Sequence, residues 1–284
     1  MRALVTGAGG MLGQALCAAL RQEGHDVHAV PHAEADVTDI SALRHAAGSP
    51  ALHYVFHLAA LTRVDECEGR PDDAFRVNGL GARNAALVAA ERGASVLYVS
   101  TDYVFDGRAR SPYREYDPTA PLSVYGASKL AGEQAVREVT PRHFIVRTSW
   151  LFGPGGPNFV DSVLQRAEAG ETLRVVDDQR GSPTFTADLA PALERIAVSE
   201  LYGTYHVTNR GECTWHELAA RVLERRAPGA RLEKITSAAL GRPAVRPAYS
   251  VLSNLFYEAS LGPPLPDWQD ALERHLRAAG KVPA

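Results

Sequence analysis

Tyr125 and Lys129 stand in the run Tyr125-Gly126-Ala127-Ser128-Lys129, a spacing of four that puts a phenol and an ammonium on one face of a helix. A free phenol, with a pKa near ~10, is a poor acid–base group at neutral pH. An ammonium alongside it, together with a positively charged nicotinamide, favours the phenolate; a shift of ~3 units requires roughly 4 kcal/mol. With ten tyrosines and only three lysines in 284 residues, chance supplies about 0.1 such pairs. The alternative is an ordinary surface Tyr–Lys pair. Upstream, Val99-Ser100-Thr101 lies at what reads as the end of a central strand, where open α/β sheets place their ligands. A small hydroxyl there is placed to hydrogen-bond a carbonyl being reduced, the alternative being that Ser100 or Thr101 merely caps the following turn.

A second cluster of chemistry precedes these. Thr6-Gly7-Ala8-Gly9-Gly10-Met11-Leu12-Gly13 lies directly between the first strand and the first helix. Gly7 permits a tight turn, Gly10 lets a pyrophosphate approach the backbone, and Gly13 lets the helix pack close to the sheet; the helix N-terminus then faces the phosphates. That geometry suits a dinucleotide, the alternative being a glycine-rich turn that binds nothing. The second strand ends in Val30-Pro31-His32, without the acid that often takes a ribose 2′-hydroxyl. Its absence, with His32 or Arg63 adding attraction, favours NADPH over NADH, NADH remaining possible. Asp36 and Val37 follow the strand where the adenine would lie; a carboxylate at a helix N-terminus is the other reading of Asp36.

These groups need a parallel sheet covered by helices, and the first half of the chain alternates accordingly. Strands are expected over 2–6, 26–30, 53–58, 95–100 and 143–148, and helices over 11–23, 72–92 and 125–138. From about Trp150 the texture turns to clustered Gly and Pro, with shorter helices over 188–197 and 215–226 and a strand over 203–208. The expected fold is α/β, a Rossmann-like doubly wound parallel sheet with a smaller, interleaved C-terminal substrate domain. Residues 1–149 are expected to form the dinucleotide-binding domain, joined by later elements near 185–220, and residues 150–284 mainly the second, smaller domain.

Composition removes several other classes. A net charge of −3, with basic runs broken by acids and apolar residues, leaves no stripe for nucleic acid. No apolar run is long enough for a membrane span, and Met1 opens almost directly onto a strand, so no signal peptide is expected and the compartment is cytoplasmic. Cys17, Cys67 and Cys213 are odd in number and far apart, which argues against disulfides and against a metal site.

Strand–GxxGxxG, a strand-end Ser-Thr and YxxxK, in that order, resemble the extended short-chain dehydrogenase/reductases. Within that superfamily, the segments VSTDYVFDG (99–107), PLSVYGASKLAGE (121–133), RTSWLFG (147–153), DDQRGSPT (177–184), GTYHVTNRGECTWHELA (203–219) and RPAYSVLSN (246–254) are similar to the dTDP-4-dehydrorhamnose reductase family. The resemblance implies NADPH-dependent reduction of the 4-keto group of dTDP-4-dehydro-L-rhamnose. It puts the catalytic set on Thr101, Tyr125 and Lys129, with Asp102 beside the sugar and Trp150 packing on it. Gly10, Met11, Leu12, Ala59 and Ala60, with Tyr125 and Lys129, would hold the cofactor. Thr62 and Val64, and further off Asn158, Arg180, Arg246 and Tyr249, would meet the nucleotide sugar. Trp150 as a core residue and Arg246 as a solvated charge are the bland readings. Some relatives pair through glutamate-bridged magnesium, and here the corresponding place is Ala15, so a monomer or a metal-free homodimer is expected. A non-catalytic module similar to the regulatory subunit of methionine adenosyltransferase, or a sugar-nucleotide epimerase or dehydratase, are the rival readings; a related 6-deoxyhexose product is also open.

Overall fold

The computed structural model describes residues 1–48 and 52–278. Its centre is a six-stranded, all-parallel sheet. In chain order the strands are β1 (Arg2–Thr6), β2 (Asp26–Val30), β3 (Tyr54–His57), β4 (Ser95–Thr101), β5 (His143–Thr148) and, much later, β10 (Gly203–His206). In space they run β10-β5-β4-β3-β1-β2, so the direction of winding reverses between β1 and β3. All seven residues of β4 are buried, as expected for a central parallel strand covered on both faces.

Two helical layers supply that cover. On one face α1 (Met11–Gln22), through Leu12, Leu16 and Leu20, joins Leu189, Leu193 and Ile196 of α8 (Thr186–Val198) against the sheet. On the other, α2 (Ile40–Ala47), α5 (Gly81–Glu91) and α6 (Val124–Val139) bury Leu43, Ala85, Val88 and Val136. Between β3 and α5 lie α3 (Val64–Gly69), α4 (Pro71–Phe75) and one π-helical turn, Arg76–Leu80.

That π turn corrects the single helix expected over 72–92. Its cause is tertiary: the Asn78 side chain accepts from Leu61 N at 2.8 Å and donates to Leu61 O and Ser128 Oγ, while Asn78 O accepts from the Tyr98 hydroxyl. Widening the helix for one turn admits those bonds.

The later chain builds a second apolar cluster from α7 (Phe159–Glu168), α9 (Trp215–Arg226) and α12 (Trp268–Ala278), with Val163, Leu218, Val222 and Leu272 inside. Four-residue β7 (Leu173–Val176) pairs with β12 (Leu232–Ile235), and two-residue β6 (Leu151–Phe152), β8 (Arg180–Gly181), β9 (Thr184–Phe185) and β11 (Cys213–Thr214) complete the framework. Among the described residues no helix is long and apolar enough to cross a membrane.

Candidate active site

The carboxyl ends of the central strands lie level, Thr6 opposite His57 and Thr101 opposite Thr148. A cleft of about 790 Å³ opens above them, at the reversal of strand order, and reaches to Trp150 and Trp215 of the second cluster. Open α/β sheets bind ligands at this position.

The glycine loop forms one end. Gly7 has φ +68°, and a Cβ on it would stand 2.6 Å from Ala59 N; a Cβ on Gly13 would stand 2.3 Å from Gly7 O. The loop is therefore folded on itself and against β3, leaving Gly10 to face outward, and Gly13 serves loop-to-helix closeness where packing on the sheet was expected. Helix α1 begins with no capping side chain and no acid in its first turn. Its free N–H groups and positive end thus border the cleft without an internal anion. Gly7, Gly10, Met11, Leu12, Ala59 and Ala60 all line this end, with Asp36, Val37 and His32 beyond them. Asp36 accepts from both the backbone N–H and the hydroxyl of Thr38 at 2.9 Å, which holds its carboxyl below the usual range. The α2 N-cap is Asp39, so the helix-terminal reading of Asp36 falls to its neighbour. Arg63 lies outside the cleft, exposed and near Glu66.

Thr101, Asp102, Tyr125 and Lys129 come together at the end of β4. The Thr101 hydroxyl donates to Asp102 Oδ1 at 3.0 Å and accepts from Tyr103 N, so it both caps the next turn and faces the cleft. Ser250 donates to Asp102 Oδ2 at 2.5 Å. Burial drives the Asp102 carboxyl up to about 7 despite those bonds. Tyr125 meets Tyr103 edge to face, and its helix start is fixed twice: Ser123 Oγ accepts from Gly126 N, and Glu68 accepts from Val124 N.

Among the protein's own groups, Lys129 is not one that acts on the Tyr125 phenol. Burial raises that phenol, a hydrogen bond with Thr101 pulls it back, and the Asp102 charge raises it again. Lys129 points elsewhere: its ammonium donates to Val99 O at 2.7 Å and lies 4.1 Å from the Tyr98 ring centroid. Burial lowers the ammonium to about 7, with the Glu133 charge raising it. A phenol held protonated at neutral pH is the form that can give a proton.

Thr62, Val64 and Trp150 line the remaining wall. Trp150 takes φ +48° and stacks flat on Trp215, with centroids 3.6 Å apart. Trp150 is thus half core and half wall. The other four sugar-side residues do not line the cleft. Asn158 caps α7 and donates to Gly153 O, Gly156 O and Asp161. Arg180 pairs with Glu212 and Glu217, Tyr249 donates to Glu212, and Arg246 forms a two-pronged pair with Asp65. Sequence reasoning missed Trp215 and Ser250, whose partners Trp150 and Asp102 are distant in the chain and leave no local signal, and Tyr103, which stands two residues after Thr101 and meets Tyr125. It also passed over Glu133, whose place eight residues after Tyr125 was visible.

Comparison with known proteins agrees with this geometry. A dTDP-4-dehydrorhamnose reductase of Streptomyces griseus is 46% identical over 98% of this chain and 93% of its own length. A dTDP-4-keto-6-deoxy-D-glucose reductase of Streptomyces niveus is 39% identical over 95% of each chain. The crystal structure of a dTDP-4-dehydrorhamnose reductase from Bacillus anthracis in complex with NADP superposes with a TM-score of 0.93 at 38% identity, covering 98% of this chain and 99% of that one. The family model for the RmlD substrate binding domain matches residues 1–280, and the chain belongs to that family.

Proposed function

We propose that this protein reduces the 4-keto group of dTDP-4-dehydro-L-rhamnose with NADPH, giving dTDP-L-rhamnose. The observation that carries the reading is that one cleft is lined at one end by an uncapped, acid-free helix N-terminus and at the other by Thr101, Tyr125 and Lys129. Relatives at 39–46% identity named as reductases of dTDP-4-keto sugars support it, as does a solved relative in complex with NADP.

The cofactor fits the residues present: the Gly7–Leu12 turn would cradle its phosphates, Asp36 and Val37 would flank the adenine, and Lys129, with donors left beside its bond to Val99 O, would hold the nicotinamide ribose. Bound NADPH would supply the hydride. Tyr125 holds its proton at Oη and releases it to the sugar oxygen, while Thr101 donates a second hydrogen bond to the same oxygen. Trp150, backed by Trp215, supplies an apolar wall for the hexose. Residues 1–149, with α8 and β10, serve the dinucleotide, and residues 150–284 mainly serve the sugar nucleotide. The chain works as a monomer or homodimer in the cytoplasm.

The test is cofactor oxidation on mixing the protein with NADPH and enzymatically generated keto-sugar nucleotide, followed by product NMR. Stoichiometric oxidation with a dTDP-6-deoxyhexose product is expected, and a Tyr125→Phe variant should lose roughly 10²–10⁴-fold in kcat while still binding NADPH. No oxidation, or turnover without net cofactor use, would sink the proposal in favour of a binding module or an epimerase.

A further inference from the structure

We propose that Glu133 is a positioning residue for this reaction: its buried carboxylate, one helical turn beyond Lys129, keeps the Lys129 ammonium charged, and its bond to Ser100 fixes the strand end that carries Thr101. The inference rests on the assignment of Tyr125 and Lys129 to the reaction.

Tyr125, Lys129 and Glu133 recur every four residues and so share one face of α6. Glu133 is fully buried in the second helical layer, and all its bonds are made to fixed partners. Oε1 accepts from Ser100 Oγ at 2.7 Å and Arg147 Nε at 2.8 Å; Oε2 accepts from Arg147 Nη2 at 2.7 Å and from Arg137 at 3.2 Å. Burial favours the neutral acid, yet the bonds and charge of Arg147, then Ser100 and Arg137, hold Glu133 below its ordinary range. A permanent anion therefore stands inside the protein behind the catalytic lysine.

Lys129 needs one. The groups that face it are His57 of β3, Tyr98 of β4 and Glu133 of its own helix; Arg147 of β5 and Arg137 meet this cluster through Glu133. The segment from α3 to the π turn brings Cys67 near Tyr125 and Asn78 onto Ser128. His57 is buried and neutral, Tyr98 contributes only its ring face, and Val99 O is a dipole. Glu133 is the one full negative charge that raises Lys129 against burial. Without it, a lysine already brought down to about 7 would lose its proton at neutral pH.

The small number of lysines makes this measurable on the cofactor-free protein. With ¹³C at lysine Cε, the lines of Lys234 and Lys281 are identified by Lys234→Arg and Lys281→Arg, leaving Lys129 by elimination. Its titration midpoint should fall by roughly one pH unit or more in Glu133→Gln and stay near wild type in Glu133→Asp, which keeps the charge. Should Glu133→Gln unfold because Arg147 is left buried and unpaired, Glu133→Gln/Arg147→Met removes both charges, a change that buried pairs often tolerate, and a fall of the same sign, reduced by the loss of the Arg147 charge, is expected. An unmoved Lys129 midpoint in a folded Gln variant overturns the inference. Because this reading needs no substrate, a wild-type protein that fails to oxidise NADPH would defeat the proposed function and leave the titration to decide the role of Glu133.

Discussion

Asp102 and Thr101 share a hydrogen bond, and the protonation of one decides what the other can do. While Asp102 is a neutral carboxyl, Thr101 can turn its O–H toward a substrate oxygen at small cost. Once Asp102 ionises, it becomes a stronger acceptor and holds the Thr101 proton. Burial sets that change at about pH 7. Activity is therefore expected to fall as pH rises through 7, with a limb steeper than one proton because Lys129 titrates near 7 as well. Asp102→Asn should return the limb to a single ionisation, as a kcat/KM profile would reveal; a limb of unchanged steepness would exclude Asp102 as one of the two groups. The tyrosine and lysine were legible in the sequence because their spacing is local and lysine is rare, and the threonine because it stands at a strand end. Ser250, which reaches Asp102 across 148 residues, was not. The loop just before it was singled out, but Arg246 and Tyr249 pair with acids outside the cleft instead.

Helix α6 must lie close enough to β4 to bring Tyr125 beside Thr101, and Gly132 is what permits it. A Cβ there would stand 2.3 Å from the Tyr98 hydroxyl oxygen and 2.4 Å from Asn78 O. Helix propensity alone makes Gly132→Ala favourable by about 1 kcal/mol. Overpacking against a buried hydroxyl and a π-turn carbonyl costs about 1–3 kcal/mol or more, so a lower thermal midpoint and a higher KM for cofactor are expected. A stabilised Gly132→Ala protein would show that the helix can shift freely on the sheet. Long strands such as β4 were legible because both faces are buried and the run is apolar from Val96 to Val99. The π turn was not, since its cause lies in Leu61 and Ser128, and the two-residue strands β6, β8, β9 and β11 carry no periodicity to detect.

Across the whole molecule, two buried histidines govern the response to acid. His57 bonds Thr6 Oγ1 through Nδ1, while its Nε2 has no hydrogen-bond partner; His206 lies between Tyr113 O and Arg147. Burial, with Lys129 near the first and Arg147 near the second, lowers both to about 3. Between pH 6.5 and 3 these two sites take protons in the unfolded chain that the folded chain refuses, each opposing folding by roughly 1.4 kcal/mol per pH unit as pH falls, and His143 and His216, also lowered by burial, add losses of the same sign. Asp102 acts oppositely: with its folded value raised to about 7, the folded state holds a proton first, offsetting one histidine from pH 7 down to 3.8. Stability should then decline gently below pH 6.5 and about twice as steeply below 3.8, where carboxylates held low by partners, Asp65 by Arg246 and Asp177 by Lys234, add their own loss. Denaturant midpoints across pH 3–7 give the slopes. His57→Gln should lower the slope between 6.5 and 3.8 by about one proton, and a slope that survives unchanged would mean that His57 is charged in the folded protein.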